Sequence, residues 1–120
     1  MIQVICPVCG AALEPQGAAW RCAQGHCFDV ARQGYVNLLT VTQKHSRHPG
    51  DTREMVAARR AFLDAGWYAP IAKTLADLVR RFCPETASVL DAGCGEGYYL
   101  SQLGWVPERW GIDISRDAVR

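Results

Sequence analysis

A series of three cysteines and one histidine near the N terminus constrains the fold of this chain more than any other feature. Cys6, Cys9, Cys22 and His26 follow the spacing C-x2-C-x12-C-x3-H. Zinc prefers thiolate and imidazole ligands in a tetrahedron, and a C-x2-C pair lets one tight turn present two thiolates to the same ion. Four protein ligands leave no open coordination position, so the spacing predicts one structural Zn²⁺ ion. Cys27, adjacent to His26, remains an alternative fourth ligand.

Length and composition limit the class of protein. The 120 residues leave room for about one domain, and 49% hydrophobic with 21% charged residues is typical of a soluble globular protein. No apolar run approaches the ~20 residues that a membrane span needs. Residues 1–4 lead into the cysteines without the features of a signal peptide. We therefore expect a cytoplasmic protein without membrane contact, in which reduced thiols favour metal binding over disulfides.

The formal net charge of +1 conceals an uneven distribution. Residues 1–60 carry seven Lys or Arg against four Asp or Glu, whereas residues 61–120 carry six against eight. All three histidines lie in the first half. A basic front half is suited to a polyanion such as nucleic acid, although an excess this small is more often an ordinary solvated surface.

The first 39 residues predict a small metal-held module. Short β-like pieces occur at Val4-Ile5, Ala19–Arg21 and Tyr35–Leu39. A module below ~40 residues usually needs a metal or disulfides to fold, which agrees with the ligand series. Residues 40–50 follow as a polar linker or mobile loop that ends in Pro49-Gly50. Its cationic and imidazole side chains are Lys44, His45, Arg47 and His48.

Two helices are predicted after the linker. The first begins with Asp51 or Thr52 as its cap, has Glu54 placed for a capping box, and runs to about Ala65 before Gly66. The second spans about Pro70 to Phe82, since proline suits a first turn and apolar residues recur at helical spacing. Those apolar residues are Ile71, Leu75, Leu78, Val79 and Phe82.

A glycine-rich loop between two predicted strands indicates a cofactor site. The pattern reads as a buried strand at residues 87–91, a loop carrying Gly93, Gly95 and Gly97, a helix from Tyr98 to Leu103, and a strand at residues 109–114. Ser115 is placed to cap the next helix. This is the opening β-α-β of a doubly wound fold, so we assign residues 51–120 to a helical lead-in and an incomplete α/β domain.

The spacing of these glycines favours S-adenosylmethionine over a dinucleotide. A dinucleotide fingerprint is G-x-G-x-x-G, and here the third glycine comes one residue early. Close backbone approach and loop amides pointing toward a ligand are expected of such a turn. Asp91 ends the first strand, and Asp113 stands where an acid accepts hydrogen bonds from ribose hydroxyls. A tight turn needed only for packing is the alternative.

Longer stretches make the chain resemble the N-terminal part of the bacterial large-subunit (23S) ribosomal RNA guanine-N1 methyltransferases, also called the RlmA-like family. The resemblance covers almost all of the 120 residues. It is carried by Cys6-Pro-Val-Cys9, Cys22-x3-His26-x-Phe28-Asp29, Gly34-Tyr-Val-Asn-Leu-Leu39, Pro49-Gly-Asp51, Ala58-Arg-Arg-Ala-Phe-Leu-Asp-Ala-Gly66 and Val89-Leu-Asp-Ala-Gly-Cys-Gly-Glu-Gly-Tyr-Tyr99.

The resemblance implies an N-terminal zinc-ribbon-like module followed by a class I, Rossmann-like methyltransferase domain. It implies His26 and not Cys27 as the fourth zinc ligand, and Tyr68, Gly95 and Glu96 as cofactor contacts. The implied reaction transfers the methyl group of S-adenosylmethionine to N1 of a guanine in a ribosomal RNA hairpin. The zinc module with Lys44, His45, Arg47 and His48 would contact the RNA, and Arg53, Arg59 and Arg60 are further candidates for phosphate contacts.

The resemblance also sets what we expect to be missing. A methyltransferase sheet needs more strands after Asp113, so we expect an incomplete fragment that is inactive alone and has no identifiable catalytic base. Uncovered sheet edges leave pairing of two chains as a homodimer open. Two alternatives remain: a non-catalytic zinc-ribbon module that binds RNA, and a related methyltransferase that acts on a small molecule.

Overall fold

The chain divides into two compact units. A computed structural model describes residues 2–85 and 87–120. Residues Ile2–Pro49 form one unit, called here the N-terminal unit, and Gly50–Val119 form the other, the C-terminal unit. None of the helices in the described residues is both long and apolar enough to cross a bilayer.

The N-terminal unit contains a three-stranded antiparallel sheet of very short strands. Strands β1 (Glu14–Gln16), β2 (Ala19–Arg21) and β3 (Cys27–Asp29) lie in sequence order. The prediction of β2 is confirmed, and β1 and β3 were not predicted. The predicted pieces at residues 4–5 and 35–39 are wrong as strands: Ile5 and Val36 each make one isolated bridge. Both segments turn away after a single pairing, so no ladder develops.

Cysteines occupy much of the core of this unit. Its buried cluster consists of Cys6, Leu13 and Cys22, and partly buried apolar side chains pack around it. Those side chains are Val4, Ala11, Trp20, Phe28 and Leu38. A core this small cannot stabilise about 50 residues through apolar burial alone, so the unit depends on whatever holds its cysteines together.

The C-terminal unit begins with two helices. Helix α1 covers Arg53–Asp64, and the Thr52 side chain caps it by accepting a hydrogen bond from the Met55 backbone N–H at 3.2 Å. Because Met55 therefore occupies the third helical position, Glu54 does not complete the predicted capping box. Helix α2 covers Ala69–Phe82 with proline in its first turn, which confirms the predicted helix.

The apolar face of α2 is largely exposed. Ala72 is its buried residue, whereas Ile71 is 53% exposed, Leu75 40% and Leu78 45%. Helical spacing correctly identified one face of the helix. Spacing cannot show what covers that face, and the residues of the C-terminal unit leave much of it open.

A parallel β-α-β unit completes the chain. Strands β4 (Ser88–Ala92) and β5 (Glu108–Ile112) pair in parallel, with Asp91 opposite Gly111. Helices α3 (Tyr98–Ser101) and α4 (Arg116–Val119) follow the respective strands. The predicted order of strand, loop, helix and strand is confirmed. The expected burial of β4 is wrong, because Leu90 is 50% exposed and no third strand covers its edge in the described residues.

Gly50, at the start of the C-terminal unit, lies against the segment between β5 and the last helix. Its φ is +80°, and a Cβ built there would lie 2.8 Å from Ile114 Cγ2 and 2.9 Å from the Ser115 backbone nitrogen. The left-handed backbone and the close approach both require glycine at this position.

We therefore expect Gly50→Ala to lower the free energy of unfolding by about 2 kcal/mol, through backbone strain and overpacking. Urea unfolding followed by tryptophan fluorescence measures the change. Gly104→Ala is the matched control, since a Cβ at Gly104 would meet no described atom within 4 Å and its φ is not positive. Equal destabilisation by both substitutions would contradict this account of Gly50.

Candidate zinc centre and glycine-loop site

The four predicted zinc ligands lie together in the N-terminal unit. One ligand atom from each of Cys6, Cys9, Cys22 and His26 lies within 4.8 Å of the others. Cys9 Sγ is 3.7 Å from Cys22 Sγ, and Cys22 Sγ is 3.3 Å from His26 Nδ1. Neighbouring ligands in a tetrahedral zinc site are about 3.5 to 3.8 Å apart, given Zn–S bonds of about 2.3 Å. The spacing of the donor atoms therefore fits one zinc ion.

Two tight turns bring these ligands to the same place. In the first turn, the Gly10 N–H donates to the Cys6 carbonyl at 2.8 Å, and the Val8 N–H points to Cys6 Sγ at 3.4 Å. In the second, the Gly25 N–H donates to the Cys22 carbonyl at 3.0 Å. The first turn thus carries Cys6 and Cys9, and the second carries Cys22 and His26.

The pKa values of the Cys9 and Cys22 thiols are shifted in opposite directions. Burial acts to raise the pKa of the Cys22 thiol, but backbone and side-chain hydrogen bonds from His26 outweigh it and lower the pKa to about 6. The pKa of the Cys9 thiol is raised instead: a backbone hydrogen bond from Ala11 acts to lower it, and desolvation with the nearby sulfurs of Cys6 and Cys22 outweighs that bond. Crowded thiolates oppose one another's ionisation until a metal ion neutralises them.

Cys27 lies outside the ligand group. It is exposed on β3, opposite Arg21 in the sheet, whereas His26 contributes its ring nitrogen to the group. The geometry therefore favours His26 over its neighbour as the fourth ligand.

The glycine loop, residues 93–97, curls over the carboxyl ends of β4 and β5. The N–H groups of Gly93 and Cys94 both donate to the Ile112 carbonyl, at 2.7 and 2.9 Å. The Gly95 N–H donates to Asp113 Oδ2 at 2.9 Å, and the Gly97 N–H donates to the Cys94 carbonyl at 3.0 Å. These four amides close bonds within the unit, so the expectation that the loop amides point toward a ligand is wrong for them.

The Asp113 carboxylate accepts two backbone hydrogen bonds at this site. Its Oδ2 accepts from Gly95, and its Oδ1 accepts from the Ser115 backbone N–H at 2.8 Å. A carboxylate has about four acceptor positions, so two remain for hydroxyl donors such as those of a ribose. A Cβ at Gly93, Gly95 or Gly97 would meet no described atom within 4 Å, so this face of the loop is open. The acid and the open loop together fit a nucleoside-bearing cofactor.

Ser115 connects Asp113 to the start of the C-terminal unit by hydrogen bonds. Its side chain is 1% exposed, donates to the Asp51 carbonyl at 2.7 Å, and accepts from the Ala118 N–H at 3.2 Å. The predicted cap of the last helix is confirmed. The bond to Asp51 spans 64 residues and was not predicted.

The remaining predicted residues occupy different surroundings. Asp91 is half-buried at the end of β4, and Tyr68 packs edge-to-face on Phe62 with ring centroids 4.9 Å apart. Burial, followed by the charges of Asp91 and Asp113, raises the pKa of the Cys94 thiol and so favours its protonated form. The basic segment, namely Lys44, His45, Arg47 and His48, is exposed throughout.

Sequence reasoning missed an ion pair at the loop. The Arg60 Nε on α1 contacts Glu96 Oε2, and the hydrogen bond and charge of Glu96 raise the pKa of the guanidinium. Arg59 pairs with Asp51 at 3.4 Å. Both arginines were candidates for phosphate contacts, and in the structure both have carboxylate partners. No local spacing signals a contact between residues 36 positions apart.

Comparison with known proteins identifies the first unit by class. Residues 4–47 match the family described as RlmA, N-terminal, a zinc ribbon. This match agrees with the ligand group and the short antiparallel sheet. The N-terminal unit therefore resembles the zinc ribbon of that family.

Full-length relatives extend the identification to the rest of the chain. Over 96% of this chain, the sequence is 44% identical to the 23S rRNA (guanine(748)-N(1))-methyltransferase of Streptomyces fradiae and covers 42% of it. A Micromonospora griseorubida protein with a provisional name of the same type is 43% identical over 96% of the chain, which covers 45% of that protein. Bacillus subtilis (strain 168) YxjB, also provisionally named, is 33% identical over 95% of the chain.

These relatives confirm the resemblance seen in the sequence. The chain is similar to the N-terminal part of the 23S rRNA (guanine-N1)-methyltransferases. It spans less than half the length of the relatives that it matches.

We expect Cys9→Ser to abolish stoichiometric zinc binding and to unfold the N-terminal unit, because one of four ligands and much of the stabilisation are lost together. Metal analysis of dialysed protein measures the zinc, and the dispersion of the amide NMR resonances of the N-terminal unit reports its fold. Cys27→Ser is the matched control and should retain one zinc ion per chain. Unchanged zinc in Cys9→Ser would exclude the ligand assignment.

We expect Ser115→Ala to lower the free energy of unfolding by about 2 kcal/mol. The substitution removes the cap of the last helix and the buried hydrogen bond to the Asp51 carbonyl. Urea denaturation provides the measurement. Ser101→Ala serves as the control: its exposed hydroxyl donates to the Tyr98 carbonyl, and we expect a change below about 0.5 kcal/mol. A similarly small effect of Ser115→Ala would show that the hydrogen bonds of the Ser115 hydroxyl contribute little to stability.

Proposed function

We propose that the chain is part of an S-adenosylmethionine-dependent methyltransferase that acts on N1 of a guanine in a large-subunit ribosomal RNA hairpin. One observation carries the proposal: 44% identity across nearly the whole chain to a protein named for that reaction. Because the relatives are more than twice as long, the complete activity is assigned to a polypeptide of their length. A ribosomal RNA substrate would place the enzyme in the cytoplasm.

In this proposal the N-terminal unit recognises RNA. Zinc held by Cys6, Cys9, Cys22 and His26 would be structural, since the four ligands leave no open position. The exposed basic segment supplies cationic and imidazole groups next to the ribbon. Lys and Arg side chains neutralise phosphates and release counterions, which gives affinity and a steep dependence on salt.

The C-terminal unit would hold the cofactor in a Rossmann-like, class I methyltransferase fold. In this role Asp113 would accept hydrogen bonds from ribose hydroxyls in addition to the one from Gly95. The open space beside Gly93, Gly95 and Gly97 would let the ligand approach the backbone. We assign Tyr68, Asp91 and Glu96 to further cofactor contacts. When bound, the cofactor supplies an electrophilic methyl group on its sulfonium.

The target nitrogen sets further requirements. N1 lies on the Watson-Crick edge, so the guanine must be unpaired in a loop or turned out of its stack. The enzyme must align N1 with the methyl group, and N1 must lose its proton. We assign no residue of this chain to proton removal.

A second candidate function is RNA binding without catalysis. It is favoured by one observation, the division of the chain into a zinc ribbon with its own core and a separate α/β unit. Cofactor binding by the purified chain distinguishes the two candidates, because a non-catalytic RNA module needs no cofactor.

RNA binding is tested with a hairpin from unmodified large-subunit ribosomal RNA. Lys44→Gln combined with Arg47→Gln should weaken binding about tenfold at low salt and reduce the salt slope by about 2, roughly one per lost cation. The control combines Lys73→Gln with Arg116→Gln, which removes the same charge from the C-terminal unit. Equal losses in both double variants would contradict recognition by the basic segment.

Cofactor chemistry is tested by calorimetry with S-adenosylmethionine and by transfer of labelled methyl groups to the same RNA. We expect the chain to bind the cofactor, Asp113→Asn to weaken that binding about tenfold through lost ribose hydrogen bonds, and the chain alone to transfer no methyl. The Streptomyces fradiae relative is the active control. RNA binding without cofactor binding would support the second candidate, and absence of both would exclude the proposed function.

A further inference from the structure

The ion pair between Arg60 and Glu96 joins two elements that the cofactor proposal treats separately. Glu96 lies within the glycine loop, and Arg60 lies on α1. The Glu96 side chain is 11% exposed, whereas that of Arg60 is 60% exposed. The ion pair therefore joins a mostly buried carboxylate to a mostly exposed guanidinium.

A carboxylate this enclosed needs a partner. Burial disfavours the charged form of an acid unless an opposite charge or hydrogen bonds compensate it. Among the described residues, Arg60 is the cation within ion-pair distance of Glu96. Without Arg60, Glu96 would gain by turning toward water, and the loop backbone on either side would follow.

The glycines beside Glu96 make the loop sensitive to such a movement. Gly95 and Gly97 have φ values of +57° and +89°, and glycine has the greatest backbone freedom of any residue. The loop is held on one side by the bond from the Gly95 N–H to Asp113. Arg60 holds it on the other side, through a side chain.

We propose that Arg60 is a positioning residue of the cofactor site, which fixes the Glu96 carboxylate and thereby the shape of residues 93–97. Arg60 acts through Glu96 and does not itself contact the cofactor. The role of the loop as a cofactor site rests on the proposed function. The positioning of the loop by α1 can be measured without any cofactor.

The neighbouring arginine provides a matched control. The Arg59 side chain is 61% exposed and also makes one ion pair, but its partner is Asp51, outside the glycine loop. Substituting either residue removes one charge from the same turn of α1. Only Arg60→Gln removes a contact to the loop.

The experiment measures amide hydrogen exchange by NMR in the 120-residue chain. Arg60→Gln should speed exchange at Gly95 and Gly97 about 5- to 10-fold, as expected for a partly enclosed ion pair, with Arg60→Lys intermediate. Arg59→Gln should leave both amides within about twofold. The Val106 N–H, bonded to the Leu103 carbonyl at 2.9 Å, reports general destabilisation and should not change.

Affinity for S-adenosylhomocysteine, measured by calorimetry, should fall by a similar factor in Arg60→Gln and by much less when Glu96→Gln is already present. Unchanged loop exchange in Arg60→Gln, an equal effect of Arg59→Gln, or parallel changes at Val106 would each overturn the positioning role. If the unsubstituted chain binds no S-adenosylhomocysteine, the proposed function fails, and the exchange data alone decide whether Arg60 holds the loop.

Discussion

The N-terminal unit depends on the four possible metal ligands that its two turns bring to one place, Cys6, Cys9, Cys22 and His26. Cys6 and Cys22 supply two of the three residues in its buried cluster, so the same side chains form the core and demand a cation. Hydrogen bonds lower the pKa of the Cys22 thiol despite its desolvation. At Cys9, desolvation and the neighbouring sulfurs of Cys6 and Cys22 outweigh the hydrogen bond from Ala11 and raise the pKa of the thiol. A bound metal ion would neutralise the clustered thiolates. It would also supply the stabilisation that this small apolar core does not provide. Folding and metal binding of this unit are therefore one process.

In the C-terminal unit, the carboxylate of Asp113 connects several segments. It joins the glycine loop to the start of α4 by accepting one backbone N–H from each. Ser115 extends the connection to Asp51, where the unit begins. The loop is thus held by β5 and α4 through Asp113, and by α1 through Glu96. Its shape is set by distant segments as much as by its own glycines.

The sequence predicted the elements whose causes are local. Helix α2, the β-α-β order and the Ser115 cap depend on spacing and cap chemistry within a few residues, and all are confirmed. Strand β1 has the sequence Glu-Pro-Gln, without any β-branched or aromatic residue, and β3 has one aromatic residue, Phe28, so neither carries a clear strand signal and both were missed. Exposure of Leu75 and Leu90 was not predicted, because periodicity identifies an apolar face without showing what covers it. The Arg60 to Glu96 and Ser115 to Asp51 contacts join residues 36 and 64 positions apart, and no local pattern encodes them.

The backbone N–H groups of the glycine loop are bonded within the unit, and this would limit which charges a ligand of the loop can carry. Loops that cradle phosphates do so with unpaired backbone N–H groups, whereas here those of Gly93, Gly95 and Gly97 are already bonded within the unit. Two carboxylates lie close to this loop in the chain or in space: Asp91 near the end of β4, and Asp113, which accepts from the Gly95 N–H. Polyphosphate nucleotides would thus meet repulsion with few donors to offset it, while a positively charged, hydroxyl-bearing nucleoside would be attracted. Under the proposed function, the bonded amides of this turn would therefore disfavour adenine nucleotides that carry phosphates.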